Sequence, residues 1–171
     1  MSEHLIVLRE RYLNPLFFST DQLVLSEEKS ERTLFEPLFF PDIQAEYFAH
    51  YPPWEQFEHW LPILLGEWKI LQEELYPIFE ERSKESEPLM IKAIAILFMM
   101  LFWSNGRSVQ LKEWESAVPG LSISFVNPVE RVSFIVNRPA VYFSYIQLGE
   151  LITELHKAIE KDRVMKKRKR T

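Results

Sequence analysis

A chain of 171 residues with 47% apolar content has the length of one domain and enough apolar material to build a core. The absence of cysteine excludes disulfides, thiolate catalysis and thiolate metal sites. The net charge of −5 hides a partition: residues 1–155 carry 12 Lys/Arg against 23 Asp/Glu, whereas residues 156–171 carry 8 against 2. An acidic body with a basic end suggests attraction to nucleic acid or to anionic lipid.

Residues 1–52 read as an irregular arm packed on the rest of the protein. Leu13, Leu16, Phe17, Phe18, Leu34, Phe35, Leu38, Phe39 and Phe40 alternate there with Pro15, Pro37 and Pro41, around a polar stretch at 26–33. Proline at that density forbids a long helix, and the aromatic load argues against a free tail. A short helix is predicted over 42–51, capped by Asp42 and stopped by Pro52 and Pro53. The start, Met1-Ser2-Glu3-His4-Leu5, lacks the basic and apolar regions of a signal peptide, so a cytoplasmic location is expected.

Residues 53–165 read as a helical domain. Proline divides its beginning into expected pieces at about 53–61, 62–76 and 77–84, with Trp68, Leu71, Leu75 and Ile78/Phe79 at amphipathic spacing. Residues 93–103 are eleven apolar residues in succession, which leaves no face for water. A helix that is hydrophobic all round must be surrounded by other elements, so 87–104 is predicted as the central rod of a bundle. Counted from Leu89 to Trp103, the apolar stretch is roughly 22 Å long, short of the roughly 30 Å hydrocarbon core, and no membrane span is expected. Ser86 is predicted to cap this helix, Pro88 to lie in its first turn and Asn105-Gly106 to close it.

A short helix is then expected at 109–117, an extended connector at 121–126, and a further helix at about 128–136 opened by Asn127-Pro128. The last helix, about 139–165, carries Val141, Tyr145, Leu148, Ile152, Leu155 and Ile159 at alternating steps of four and three. This is a seam for left-handed packing on a neighbouring helix. Packing within the chain is favoured over a homodimer, because the apolar rod needs a cover. Gly149 inside the seam suggests close helix approach. Residues 166–171 form a basic C-terminal tail with Lys166, Lys167, Arg168, Lys169 and Arg170 as candidates for nucleic-acid or lipid contact.

Few constellations carry chemistry. His50, Glu55, Glu58 and His59 form a weak candidate metal or acid–base cluster, with Glu58 and His59 at i+3 and i+4 from Glu55 if all share a helix. A helix-turn-helix over 109–136 is a second alternative, with Arg131 on the recognition helix. Glycine-rich phosphate loops and nucleophile elbows are absent from the sequence. The polar residues Asn105, Arg107, Asn127, Glu130, Arg131, Asn137 and Arg138 gather at helix ends. They read first as caps and ion pairs, and second as a rim around a recognition groove beside Trp103.

Several of these positions carry a resemblance. Phe102-Trp103-Ser104-Asn105-Gly106-Arg107, then Asn127-Pro128-Val129-Glu130-Arg131-Val132-Ser133-Phe134-Ile135, then Pro139-Ala140-Val141-Tyr142 and Gln147-Leu148, resemble the YpoC-like family of Bacillus and its relatives. The likeness spans roughly 54–165 with gaps. It implies a small cytoplasmic helical protein of a family with no established activity, whose members tend to be encoded beside replication, base-excision repair and cell-wall synthesis proteins. It supplies no catalytic residue.

The sequence thus predicts an all-α fold: one helical bundle around an apolar central helix, with the aromatic N-terminal arm outside. The expected function is that of a non-enzymatic interaction or adaptor protein without a cofactor, binding a protein partner through Trp103, Asn105, Arg107, Asn127, Glu130 and Arg131. The basic tail adds electrostatic attachment. A metal-dependent hydrolase and a helix-turn-helix nucleic-acid binder are the alternatives.

Overall fold

A computed structural model describes residues 3–26 and 34–170. The protein is mostly helical, with α1 (Phe40–Phe48), α2 (Phe57–Glu80), α3 (Ser86–Ser104), α4 (Trp114–Ala117), α5 (Pro128–Asn137) and α6 (Tyr142–Arg170). It is not purely α. Strands β1 (Glu3–Val7) and β2 (Gln22–Ser26) pair antiparallel within the segment expected to be irregular, with Leu5 opposite Val24. The strands are apolar on both faces: Ile6 and Leu25 turn inward, while Leu5, Val7 and Val24 stay exposed. That removes the alternation by which a half-buried strand is recognised. The polar stretch at 27–33 lies outside the described residues.

Helix α3 occupies the centre. Every residue from Ala93 to Trp103 is buried, none exposing more than 1% of its surface. Helix α3 is long and apolar enough to cross a membrane, yet 72% of that stretch lies inside the protein itself, which is how a core helix reads. Its cover comes from α2 through Trp60, Leu61, Leu64, Trp68, Leu71 and Leu75, and from α6 through Leu148, Leu151, Ile152, Leu155 and Ile159. The seam predicted on the last helix therefore packs within the chain, with Val141 just outside α6 and partly exposed. The N-terminal arm adds aromatic contacts: Phe17 meets Phe39 edge-on at 5.0 Å and Phe98 of α3 at 5.5 Å.

Local expectations fail where burial overrides propensity. Helix α2 is one helix of 24 residues with Pro62 and Pro77 inside it, not three pieces. Each proline removes one backbone donor, and burial of the α2 stripe against α3 outweighs that loss. Ser86 does not cap α3; it is buried, and its hydroxyl donates to the Ala140 carbonyl at 3.0 Å, tying α3 to the start of α6. Asn105 and Gly106 do end α3, with Gly106 at φ 71°, the left-handed region that glycine enters freely. Residues 109–112 are not helical; Leu111 and Lys112 instead donate backbone N–H groups to the Arg11 carbonyl at 2.7 and 3.1 Å. A methyl at Gly149 would lie 3.7 Å from the Trp68 ring, ordinary contact, so close approach does not require glycine there. Helix α6 continues through the predicted tail, so residues 166–170 are helical.

Candidate functional site

The densest polar centre is built on Asp42, which was expected to be a helix cap. The cap position of α1 is instead Phe39, held at φ 64° beneath the Phe17 and Phe18 rings, and no side chain caps the helix. Asp42 stands two residues into α1 and is fully buried. Its Oδ1 accepts from the Tyr12 and Ser108 hydroxyls, both at 2.6 Å. Its Oδ2 accepts from Trp103 Nε1 at 2.8 Å and from the Val109 backbone N–H at 2.9 Å.

Arg11 sets the polarity of this centre. Its Nη2 donates to Tyr12 Oη at 2.9 Å and its Nε to Ser108 Oγ at 3.0 Å. Both hydroxyls therefore spend their lone pairs on the guanidinium and point their protons at Asp42. Four donors around one carboxyl group suit the ionised form. Burial nevertheless pushes the Asp42 carboxyl above its ordinary range, opposed by Ser108, Trp103, Tyr12 and Val109. The Tyr12 hydroxyl is raised as well, first by burial and then by the neighbouring Asp42 charge. Arg11 also reaches Glu46 at 3.0 Å, which gives its own charge a counter-ion. Since Tyr12, Asp42, Trp103 and Val109 are all buried, the centre pins the arm, α1, the end of α3 and the 108–112 segment together rather than meeting a solute.

The six residues expected to bind a partner divide between two places. Trp103 and Asn105 line a groove of about 580 Å³, with Trp54, Phe57, Glu58 and Arg163 on its walls. Trp103 itself is buried behind that lining, its N–H held by Asp42. Asn105 donates to the Leu101 and Ile123 carbonyls and accepts from Ile123 N–H, so its amide holds the chain after α3 in place. Arg107 lies 5.9 Å over the Phe102 ring. Glu130 and Arg131 belong to α5. Asn127 precedes it at φ 50° without a side-chain capping bond. Arg131 makes two 2.8 Å bonds to Glu154 of α6 and one of 3.0 Å to the Val126 carbonyl. With Arg131 so engaged, and α4 only four residues long, the segment 109–136 lacks the free recognition helix that a helix-turn-helix needs.

The metal alternative loses its geometry. Glu55 lies in a separate 3₁₀ turn, Pro53–Glu55, ahead of α2, so the helical spacing assumed for Glu55, Glu58 and His59 does not exist. His50 faces Gln44 at 3.4 Å, His59 meets the Trp60 ring edge-on, and Glu58 pairs with Arg163 at 3.7 Å. Among the described residues no three His, Asp or Glu side chains gather as a metal site would require.

Two features escaped the sequence reading. One is the Asp42 centre itself. The other is an exposed aromatic face, where Phe134 of α5 and Phe143 of α6 flank Glu130, Arg131 and Gln147 around a cleft of about 270 Å³. Phe143 is 70% exposed. Nothing in a local hydrophobic pattern marks such a residue as outward-facing.

The basic cluster is exposed. Residues 164–170 are exposed on every side of the last turns of α6. Lys166 pairs with Asp162 at 2.9 Å on the same helix.

Comparison with known proteins assigns the chain. The model of the YpoC-like protein family matches residues 58–167. The Bacillus subtilis (strain 168) protein named "Uncharacterized protein YpoC" is 35% identical over 118 residues, covering 66% of this chain and 70% of that relative. No solved structure matches. The matched span runs from the start of α2 to the basic turns of α6, taking in the apolar rod and both helices that cover it, and the protein belongs to the YpoC-like family.

Proposed function

We propose that this protein is a non-enzymatic interaction or adaptor protein of the cytoplasm, acting as a monomer, that attaches to a phosphate-bearing surface through the end of α6. In this reading the six helices form one bundle around α3, and the bundle serves as a rigid body for a protein partner. The observation that carries it is the charge partition: −11 over residues 1–155 and five exposed cations in succession at 166–170. Most arginines of the body that touch other groups are already engaged: Arg11 by Glu46 and two hydroxyls, Arg131 by Glu154, Arg107 by a ring. The cations on the last turns of α6 are solvent-exposed, Lys166 while paired with Asp162 on the same helix. The groove beside Trp103 is the companion surface for a protein segment, since Arg163 and Lys166 of the same helix form part of its wall. Attachment beside replication, repair or cell-envelope machinery fits this reading.

The test is retention on a heparin matrix. The intact protein is expected to bind at 50 mM salt despite its acidic net charge and to elute by about 200 mM, because phosphate-type contacts weaken steeply over that range. A chain lacking residues 164–171 is expected in the flow-through. Equal behaviour of the two chains would refute the reading.

A further inference from the structure

Resting on that reading, we infer that the phosphate surface is double-stranded DNA, and that the last turns of α6 enter its major groove as a helix charged on all sides. Continuous helix to Arg170 is the first observation. Five cations in succession, at 100° per residue, distribute charge around the whole circumference. A helix with side chains is about 10–12 Å across, and the B-form major groove is about 12 Å wide with phosphates along both walls. Charge on every side suits two facing walls better than one plane.

The other phosphate sources fit less well. A helix that lies on a lipid surface needs an apolar stripe opposite its cations. Here the exposed apolar residues are Val164 and Met165, and the positions three and four further on are Lys167, Arg168 and Lys169. No stripe forms. Single strands are held by stacking on aromatic side chains, and residues 160–170 contain none. The major groove of duplex RNA is deep and narrow and does not admit a helix. The segment also lacks Asn and Gln for reading adenine edges, so any base readout falls to Lys and Arg on guanine.

The experiment measures binding of the intact protein to four probes at 50–200 mM salt: a DNA duplex of about 20 base pairs, one of its strands, the equivalent RNA duplex, and phosphatidylglycerol vesicles. Five phosphate contacts predict a log–log salt slope near −4.5 on duplex DNA, a several-hundred-fold weakening across that range. The K166Q/K167Q/K169Q variant is expected to lose about 2.7 of that slope. K69Q/K84Q, which removes two charges from the body, is expected to leave it unchanged. Circular dichroism establishes that the variants keep their helix. Vesicle binding that equals or exceeds duplex DNA binding overturns the inference while leaving the phosphate-binding reading intact. So does equal affinity for single strand or for duplex RNA. Binding to none of the probes overturns both, as does a duplex slope unchanged in the triple variant.

Discussion

The Asp42 centre and the end of α6 both concentrate charge, and they handle it in opposite ways. Around Asp42 a single buried carboxyl group receives four hydrogen bonds, and a guanidinium one step away orients two of the donors. At the end of α6 five cations in succession are exposed. In the first region charge is consumed in joining the arm and α1 to the end of α3 and the segment that follows it. In the second it contributes little to the fold, beyond favouring the negative end of the α6 dipole. A charged side chain is available to a partner only where the fold has not already used it.

The comparison breaks most readily at Asp42. D42A strands the Trp103 and Val109 N–H groups and both hydroxyls, and is expected to cost about 3–5 kcal/mol, read by urea denaturation. A loss below about 1 kcal/mol would mean that the centre is not a pin. Y12F removes one of the four donors and is expected to cost about 1–3 kcal/mol. It also tests the sign of the Tyr12 shift. Because the folded hydroxyl titrates above the unfolded one, its contribution is complete below the ordinary phenol value near 10 and is lost as pH rises past it. Y12F should therefore flatten part of the fall in stability above about pH 10; an unchanged profile would contradict the buried geometry. At the other extreme, neutralising Lys166, Lys167, Arg168, Lys169 and Arg170 together as glutamines should change stability by no more than about 0.5 kcal/mol. A larger loss would show that the α6 end is spent on the fold after all.

What could be read in advance follows the same division. The eleven-residue run of α3 and the four-three stepping of α6 are local patterns, and burial in the structure follows them from Ala93 to Trp103 and from Leu148 to Ile159. Helix α2 was misread because Pro62 and Pro77 speak for a break, while the stripe from Trp60 to Leu75 that overrules them acts through α3. Asp42 next to Pro41 has the local look of a cap. Its partners lie at 12, 103, 108 and 109, and no short window contains them. The hairpin was missed because its strands are apolar on both faces. Arg131 was visible as a polar residue at a helix start, but its commitment to Glu154 depends on how α5 meets α6.

The complete burial of residues 93–103 also bears on how the chain is made. Part of their cover, residues 148–159, is encoded downstream, so a nascent chain carries the greasy stretch incompletely covered until α6 has been synthesised. Messages truncated between α3 and α6 should yield products that clump or recruit chaperones. The central helix is thus a hazard during translation and an asset only after it.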